Sequence, residues 1–237
     1  MLGRAGDDTR RAGAAVPGPG AVRRRDGPIA PRPDVPVQPR LAVAQNAARR
    51  VPGGRVDGVV YVGCRDAHVY AIDAATGRKK WDYPASKSWV NGTPAVRDGM
   101  VYVGTSDSAR FMALDAKTGR LRFNFDAKAY IFSSAALAGN LAYVGDHNGR
   151  LYAIDMKSGK LIWDFKTDAS KADPFKVLNA DGSLIPESLY APVLNDFEDM
   201  YIAFFKFVSI GAIMSSPVVD KGVVYFGSMD GNLYALR

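Results

Sequence analysis

"VVYVGCRDAHVYAIDAATGRKKW" occupies Val59–Trp81, and nearly the same wording returns three times. It comes back as "MVYVGTSDSARFMALDAKTGRLRF" (Met100–Phe123), "LAYVGDHNGRLYAIDMKSGKLIW" (Leu141–Trp163) and "VVYFGSMDGNLYALR" (Val223–Arg237). The glycines that follow the aliphatic-Tyr-aliphatic runs are Gly63, Gly104, Gly145 and Gly227, spaced 41, 41 and 82 residues apart. A period of about 40 residues fits either a two-helix solenoid unit or a four-stranded blade, and the last gap hides one period of sequence that does not repeat.

The internal pattern of one unit decides between these. Thr93–Phe125, "TPAVRDGMVYVGTSDSARFMALDAKTGRLRFNF", splits into four short runs rich in Val, Tyr, Phe and Leu, separated by turn residues. Such runs at this spacing read as an antiparallel meander. Asp98-Gly99, Asn148-Gly149 and Asp230-Gly231 suit two-residue hairpins, whose central residues need positive φ. No stretch of the unit has helical i, i+3, i+4 spacing. The fold class is therefore all-β: a β-propeller of four-stranded blades, about four of them present, with one helical insertion.

One part of each unit carries a family resemblance. Ala71, Asp73, Thr76, Gly77 and Trp81 match the A-x-D-x-x-T-G-x-x-x-W pattern of the pyrroloquinoline quinone (PQQ)-like repeat. It returns as Ala113, Asp115, Thr118, Gly119 and Phe123, and again as Ala153, Asp155, Ser158, Gly159 and Trp163. The resemblance covers roughly residues 56–166 and 214–237. It implies blades packed around a ring, usually seven or eight, with each motif Trp docked against the next blade. Asp73, Thr76, Gly77, Trp81 and their counterparts are thus expected to be structural. The residue chemistry agrees, since an aromatic side chain supplies large buried area and Thr-Gly supplies a turn. Phe123 keeps the ring but lacks the indole N–H.

Composition divides the chain at about residue 55. Residues 1–55 hold 11 Arg, 4 Asp, 8 of the 14 Pro, and no Lys, Glu or aromatic residue. That arm accounts for the whole net charge of +7, so residues 56–237 are neutral. A basic patch on the repeats that would recognise nucleic acid specifically is not expected. The arm cannot bury enough apolar surface to order itself, and it lacks the apolar core of a secretory signal. No stretch is long enough to span a membrane. Cys64 is the single cysteine and reports nothing about redox compartment. The repeat emerges only at Val56, where other units already have an opening strand, giving about fourteen strands and an open arc. The expectation is that residues 1–55 stem from a misplaced start or shifted frame and that preceding blades are missing; a genuine disordered extension is the alternative. Open blade edges predict self-association or a protein partner.

Residues 167–213 interrupt the repeat. There, Phe197, Met200, Tyr201, Phe204, Phe205 and Val208 fall on one helical face, with Asn195 or Asp196 as cap and Gly211 after the end. The face is expected to pack on the propeller, or else Phe197, Tyr201, Phe204 and Phe205 form a lid or partner surface. Asn179–Ser183 has a faint likeness to a calcium loop, without the spaced carboxylates or terminal Glu that such a loop needs.

The resemblance implies two functions. One is a non-catalytic scaffold, similar to the lipoprotein propeller of the outer-membrane β-barrel assembly machinery and then periplasmic or outer-membrane associated. The other is a fragment of a quinoprotein alcohol or sugar dehydrogenase using PQQ with calcium. Such dehydrogenases often carry adjacent cysteines, an Asp base and Glu/Asn/Asp calcium ligands, whereas this chain has Cys64 alone and two glutamates, Glu187 and Glu198, both in the insertion. The two histidines, His68 and His147, lie at turns of different blades and read as solvated turn residues. The scaffold is the expectation, with no catalytic, cofactor or metal residue. The PQQ-like repeat also occurs in sensor domains attached to kinases, and no kinase segment is present in these 237 residues.

Overall fold

In the computed structural model of the chain, residues 55–189 and 196–237 are described. Of the chain's two units, Met1–Arg40 falls outside these residues and Leu41–Arg237 carries every element below. The disordered arm expected over residues 1–55 thus lies, Arg55 aside, outside the described residues.

Four antiparallel sheets follow one another, each running in chain order. Blade I comprises β1 (Arg55–Val56), β2 (Val59–Gly63), β3 (His68–Asp73) and β4 (Lys79–Pro84). Blade II comprises β5 (Ala95–Arg97), β6 (Met100–Gly104), β7 (Arg110–Asp115) and β8 (Leu121–Asp126). Blade III comprises β9 (Ala136–Ala138), β10 (Leu141–Gly145), β11 (Arg150–Asp155) and β12 (Leu161–Lys166). Blade IV has three strands, β13 (Val218–Asp220), β14 (Val223–Gly227) and β15 (Leu233–Leu236). The fold is an all-β partial propeller. One strand more is present than the sequence reading gave. β1 pairs Arg55 with Val60 and Val56 with Val59 across the Asp57-Gly58 turn, whose residues both have positive φ (52° and 74°). Gly53-Gly54-Arg55 carries none of the apolar pattern by which an opening strand is recognised.

The motif residues build the third turn of blades I, II and III. Asp73 Oδ1 accepts from Thr76 N and Thr76 Oγ1, both at 2.8 Å. Asp115 does the same with Thr118, both at 2.8 Å, and Asp155 with Ser158 at 2.7 and 2.6 Å. These donors hold all three carboxyls below their ordinary pKa. Gly77, Gly119 and Gly159 complete the turn at φ of 69–73°. A bulge follows Ala71, Ala113 and Ala153, and those alanines stand opposite Trp81, Phe123 and Trp163. The bulge bends the strand and sets where the aromatic ring points.

Trp81 reaches across to blade II. Its Nε1 donates to Ala116 O at 2.9 Å, and its ring occupies the space that a Cβ on Gly119 would take, 2.8 Å away. Phe123 lies against Gly159 in the same way, at 2.5 Å, without the polar bond. Trp163 packs with Tyr143 at a ring separation of 5.8 Å, and no such carbonyl meets its indole among the described residues. Trp81→Phe therefore keeps the ring and deletes one hydrogen bond. It is expected to cost about 1 kcal/mol, a fall of roughly 2–4 °C in Tm measurable by circular dichroism; no change would mean that the indole N–H contributes nothing.

The blades are stitched by the segments between them. Trp89 O accepts from Ser106 N of blade II while Val90 N donates back to Cys64 O of blade I. Tyr130 and Ile131 repeat this between blades II and III, and Ala212 and Ile213 between blades III and IV. Val90, Ile131 and Ile213 each sit over the period-marking glycine, Gly63, Gly104 or Gly145, where a Cβ would lie 2.1–2.3 Å from the nearest side-chain carbon. The core is thus not inside any blade. It lies between successive blades, where Val69, Phe111 and Leu151 are fully buried.

Candidate functional site

The insertion between β12 and β13 is the part of the structure that repetition does not explain. It begins with α1 (Asp168–Ala172), capped by Thr167 Oγ1 accepting from Ser170 N and closed by Asp173 in the left-handed region. Asp173 then folds the chain back, its carboxylate accepting from Val177 N and Leu178 N at 2.9 and 3.0 Å. α2 (Pro186–Leu189) and α3 (Asp196–Ser209) complete it, Asn195 lying outside the described residues. Gly211, at φ 68°, ends the helical segment.

The described aromatic side chains of α3 do not pack on the propeller. Among its described side chains the buried one is the small Ala203, against Val177 and Ile210. Tyr201 is 65% exposed, Phe204 56% and Phe205 54%. For Tyr201, Phe204 and Phe205 the expectation that this face packs down is corrected, since these rings turn outward, while Val208 of the same face is half-buried and the Met200 side chain lies outside those described. The Phe197 side chain lies outside those described. Phe175, itself exposed, meets Phe205 edge-on at 5.9 Å, so the exposed rings come from two segments. Lys206 Nζ donates to Ser188 O and ties α3 to α2.

Beneath the insertion lies a polar bed in the second turn of blade III. Asp146 is fully buried. Its Oδ1 accepts from Asn148 N and Arg150 N, both at 2.9 Å, and its Oδ2 from Tyr152 Oη at 2.7 Å. Burial pushes the Asp146 carboxyl up to about 6, against the pull of those donors. Burial also drives the Tyr152 hydroxyl well above its ordinary value, with the Asp146 charge adding to it. Asn148 Nδ2 donates to Gly182 O at 2.9 Å and so fastens the insertion to the blade. Lys128 Nζ meets Asp181 at 2.9 Å on the rim, and bonds from Ser183, with that lysine, hold the Asp181 carboxyl far below its usual range.

His147 is buried rather than a solvated turn residue, a second correction. Phe132 lies edge-on to its ring at 4.4 Å and Tyr130 at 5.8 Å, and burial lowers its pKa to about 4. The ring is thus neutral at pH 7. His68 sits half-exposed in blade I near Asp66 and Asp82. Tyr70 and Tyr234, at the place of Tyr152 in their blades, also donate to an aspartate, but to one four residues earlier, Asp66 and Asp230. Asp146–Tyr152 spans six residues and is peculiar to blade III, where Asn148 stands at the place of Asp66 and Asp230. Among the described residues no group of three or more His, Cys, Asp or Glu is placed to hold a metal.

Comparison with known proteins agrees with the motif. A family model described as outer membrane protein assembly factor BamB matches residues 26–180. The chain belongs to this PQQ-like repeat family. Over 228 residues it is 30% identical to the serine/threonine-protein kinase AfsK of Streptomyces griseus, taking in 76% of this chain and 28% of the kinase. Over 193 residues it is 28% identical to BamB of Yersinia pestis, 75% of this chain and 48% of that one. The chain therefore spans less than half the length of either relative. Among solved structures, the quinohemoprotein alcohol dehydrogenase ADHIIG of Pseudomonas putida HK5 superposes with a TM-score of 0.52 at 26% identity, over 73% of this chain and 27% of that one. PQQ-like repeats thus occur in a kinase, an assembly factor and a dehydrogenase, so the fold leaves function to the site.

Proposed function

We propose that this PQQ-like propeller is a non-catalytic binding module whose partner is a protein, docked on the exposed aromatic face of α3. One observation carries this reading: Tyr201, Phe204 and Phe205, joined by Phe175, are exposed on a helix held through Ala203 against Val177 and Ile210 and through Lys206 to Ser188. Aromatic side chains at i, i+3 and i+4 suit an apolar groove that accepts one helix face, and aromatic anchors dominate binding energy at such contacts. A relative named as an assembly factor supports a protein-binding role, and with it a place in the periplasm or at the outer membrane. Among the described residues no helix is long and apolar enough to cross a membrane.

The dehydrogenase reading needs a quinone and calcium, and the described residues do not fit them. Cys64 is single, Glu187 and Glu198 lie on the insertion helices, and no cluster of three acidic, His or Cys side chains is present among these residues.

A photo-crosslinking residue in place of Phe204, in the full chain in cells, is expected to give one discrete protein adduct. The adduct should disappear in a Tyr201→Glu background. The same probe at Leu121, exposed on blade II, should give none. An adduct common to both positions would end the proposal, and so would saturable binding of the quinone with calcium to the purified chain.

A further inference from the structure

The junction between blades I and II repeats the plan of the junction between blades II and III, but smaller side chains fill it. On the repeat, Val59, Val96 and Ala116 of the first junction stand where Met100, Leu137 and Met156 stand in the second. Each is the smaller of its pair. Met100, Leu137 and Met156 pack against the core shared by blades II and III. At the first junction the corresponding place is a cavity of about 450 Å³, with Val59, Val96, Ala116 and the buried Tyr61 on its walls.

Backbone geometry does not account for the difference. Ala116 N donates to Gly99 O at 2.8 Å and Met156 N to Asn140 O at 2.9 Å, while Val59 opens β2 as Met100 opens β6. Both walls belong to blades I and II, so the space comes from side-chain size between two neighbours in contact. Its apolar wall is also fixed in place. Ala116 O accepts from Tyr61 Oη at 3.0 Å and from Trp81 Nε1 at 2.9 Å. Those two bonds take both acceptor positions of the carbonyl, and nothing on this wall calls for a polar partner.

The rim is charged, and most of its acids are already engaged. Asp115 is bonded to Thr118 and to Arg122, and Asp98 lies 3.5 Å from Arg97. Lys80 and Lys117 line the same cavity, both exposed. Among the described residues neither ammonium group makes a hydrogen bond or ion pair, and of the acids only Asp57 is equally uncommitted.

We propose that this cavity is a binding site for a small amphipathic carboxylate, with its apolar chain over Val59, Val96 and Ala116 and its carboxylate at Lys80 and Lys117. Small-molecule sites are concave spaces of roughly 300–1,000 Å³, lined mainly by apolar side chains with a few charged or polar groups that set orientation. The cavity meets that description, and its uncommitted charge is two lysines against one aspartate, which selects an anion. A wall held rigid by two hydrogen bonds loses little freedom when a ligand arrives. The site is separate from α3 and stands whether or not a protein docks there.

Calorimetric titration of the 237-residue chain with octanoate tests this. Saturable binding with a Kd of about 1 mM or tighter is expected, and octylamine, the same chain with the opposite charge, should bind at least about tenfold more weakly. The V59M/A116M variant gives the first junction the residues of the second. It should remain folded by circular dichroism and lose octanoate affinity by about tenfold or more. Lys80→Glu with Lys117→Glu leaves the apolar walls intact and should weaken octanoate by about tenfold. Tyr201→Glu, on the exposed face of α3, should leave the affinity unchanged. Absence of saturation by about 10 mM overturns the proposal, as does equal binding of octylamine or undiminished binding in V59M/A116M. Loss of binding in Tyr201→Glu would put the amphiphile on α3 and overturn it too.

Discussion

Gly104→Ala is expected to destabilise the chain by about 3 kcal/mol or more, while Gly227→Ala, the same substitution at the matching position of blade IV, changes stability by less than about 0.5 kcal/mol. Both glycines follow an aliphatic-Tyr-aliphatic run and both end the second strand of their blade. Neither has positive φ, so backbone conformation does not separate them. Space does. A Cβ on Gly104 would lie 2.1 Å from Ile131 Cγ2 and 3.0 Å from Ile131 O. Ile131 cannot retreat, because its N–H is bonded to Thr105 O and its side chain is fully buried between blades II and III. A Cβ on Gly227 would meet only Ser215, at 3.7 Å. Urea unfolding followed by tryptophan fluorescence should show a midpoint lower by about 1 M or more for Gly104→Ala and an unchanged one for Gly227→Ala. Adding Ile131→Ala to Gly104→Ala should cost less than the two single effects together, since both act on one space. Equal effects at the two glycines would mean that something other than the next blade sets the period.

The same contacts explain what was legible in the sequence. The glycine period could be read because one residue of the segment leading to the next blade presses on each interior copy, which leaves no freedom of side chain there. The Asp-x-x-Thr-Gly turn could be read because its hydrogen bonds close within three residues. β1 could not, since two residues paired across a tight turn leave no hydrophobic pattern. For α3 the period was right, and for Tyr201, Phe204 and Phe205 the facing was wrong. Apolar spacing shows that a helix has an aromatic stripe, but what that stripe meets depends on Ala203, Val177 and Ile210, brought together from distant positions. The burial of His147 was illegible for the same reason: Phe132 belongs to the segment between blades II and III. The cover above Asn148 comes from Gly182, and a turn read alone contains neither partner.

That cover makes a pair of opposed titrations, the second large effect. Asp146 rises from 3.8 to about 6 on folding, so the folded state holds its proton more tightly than the unfolded state does. This contributes stability that is fully present below pH 3.8 and lost as pH rises through 6. His147 falls from 6.5 to about 4, so its contribution is present above pH 6.5 and lost as pH falls through 4. Each shift of about two units corresponds to about 3 kcal/mol, and the two slopes nearly cancel between pH 4 and 6.5. The turn carboxylates Asp73, Asp115 and Asp155 are held low, so their contributions change below this window. The wild type is therefore expected to have a nearly flat stability profile from pH 4 to 6.5. Asp146→Asn leaves the histidine unopposed, and stability should climb by about 3 kcal/mol across the window. His147→Phe keeps a ring against Phe132 and leaves the carboxyl unopposed, so stability should fall by about the same amount. Urea unfolding at pH 4, 5, 6 and 7 measures all three profiles. Two variants that both run parallel to wild type would show that neither group changes its proton affinity on folding. Slopes of opposite sign would show that a buried acid and a buried base, adjacent in one turn, hold the stability of the blade beneath the insertion level across mildly acidic pH.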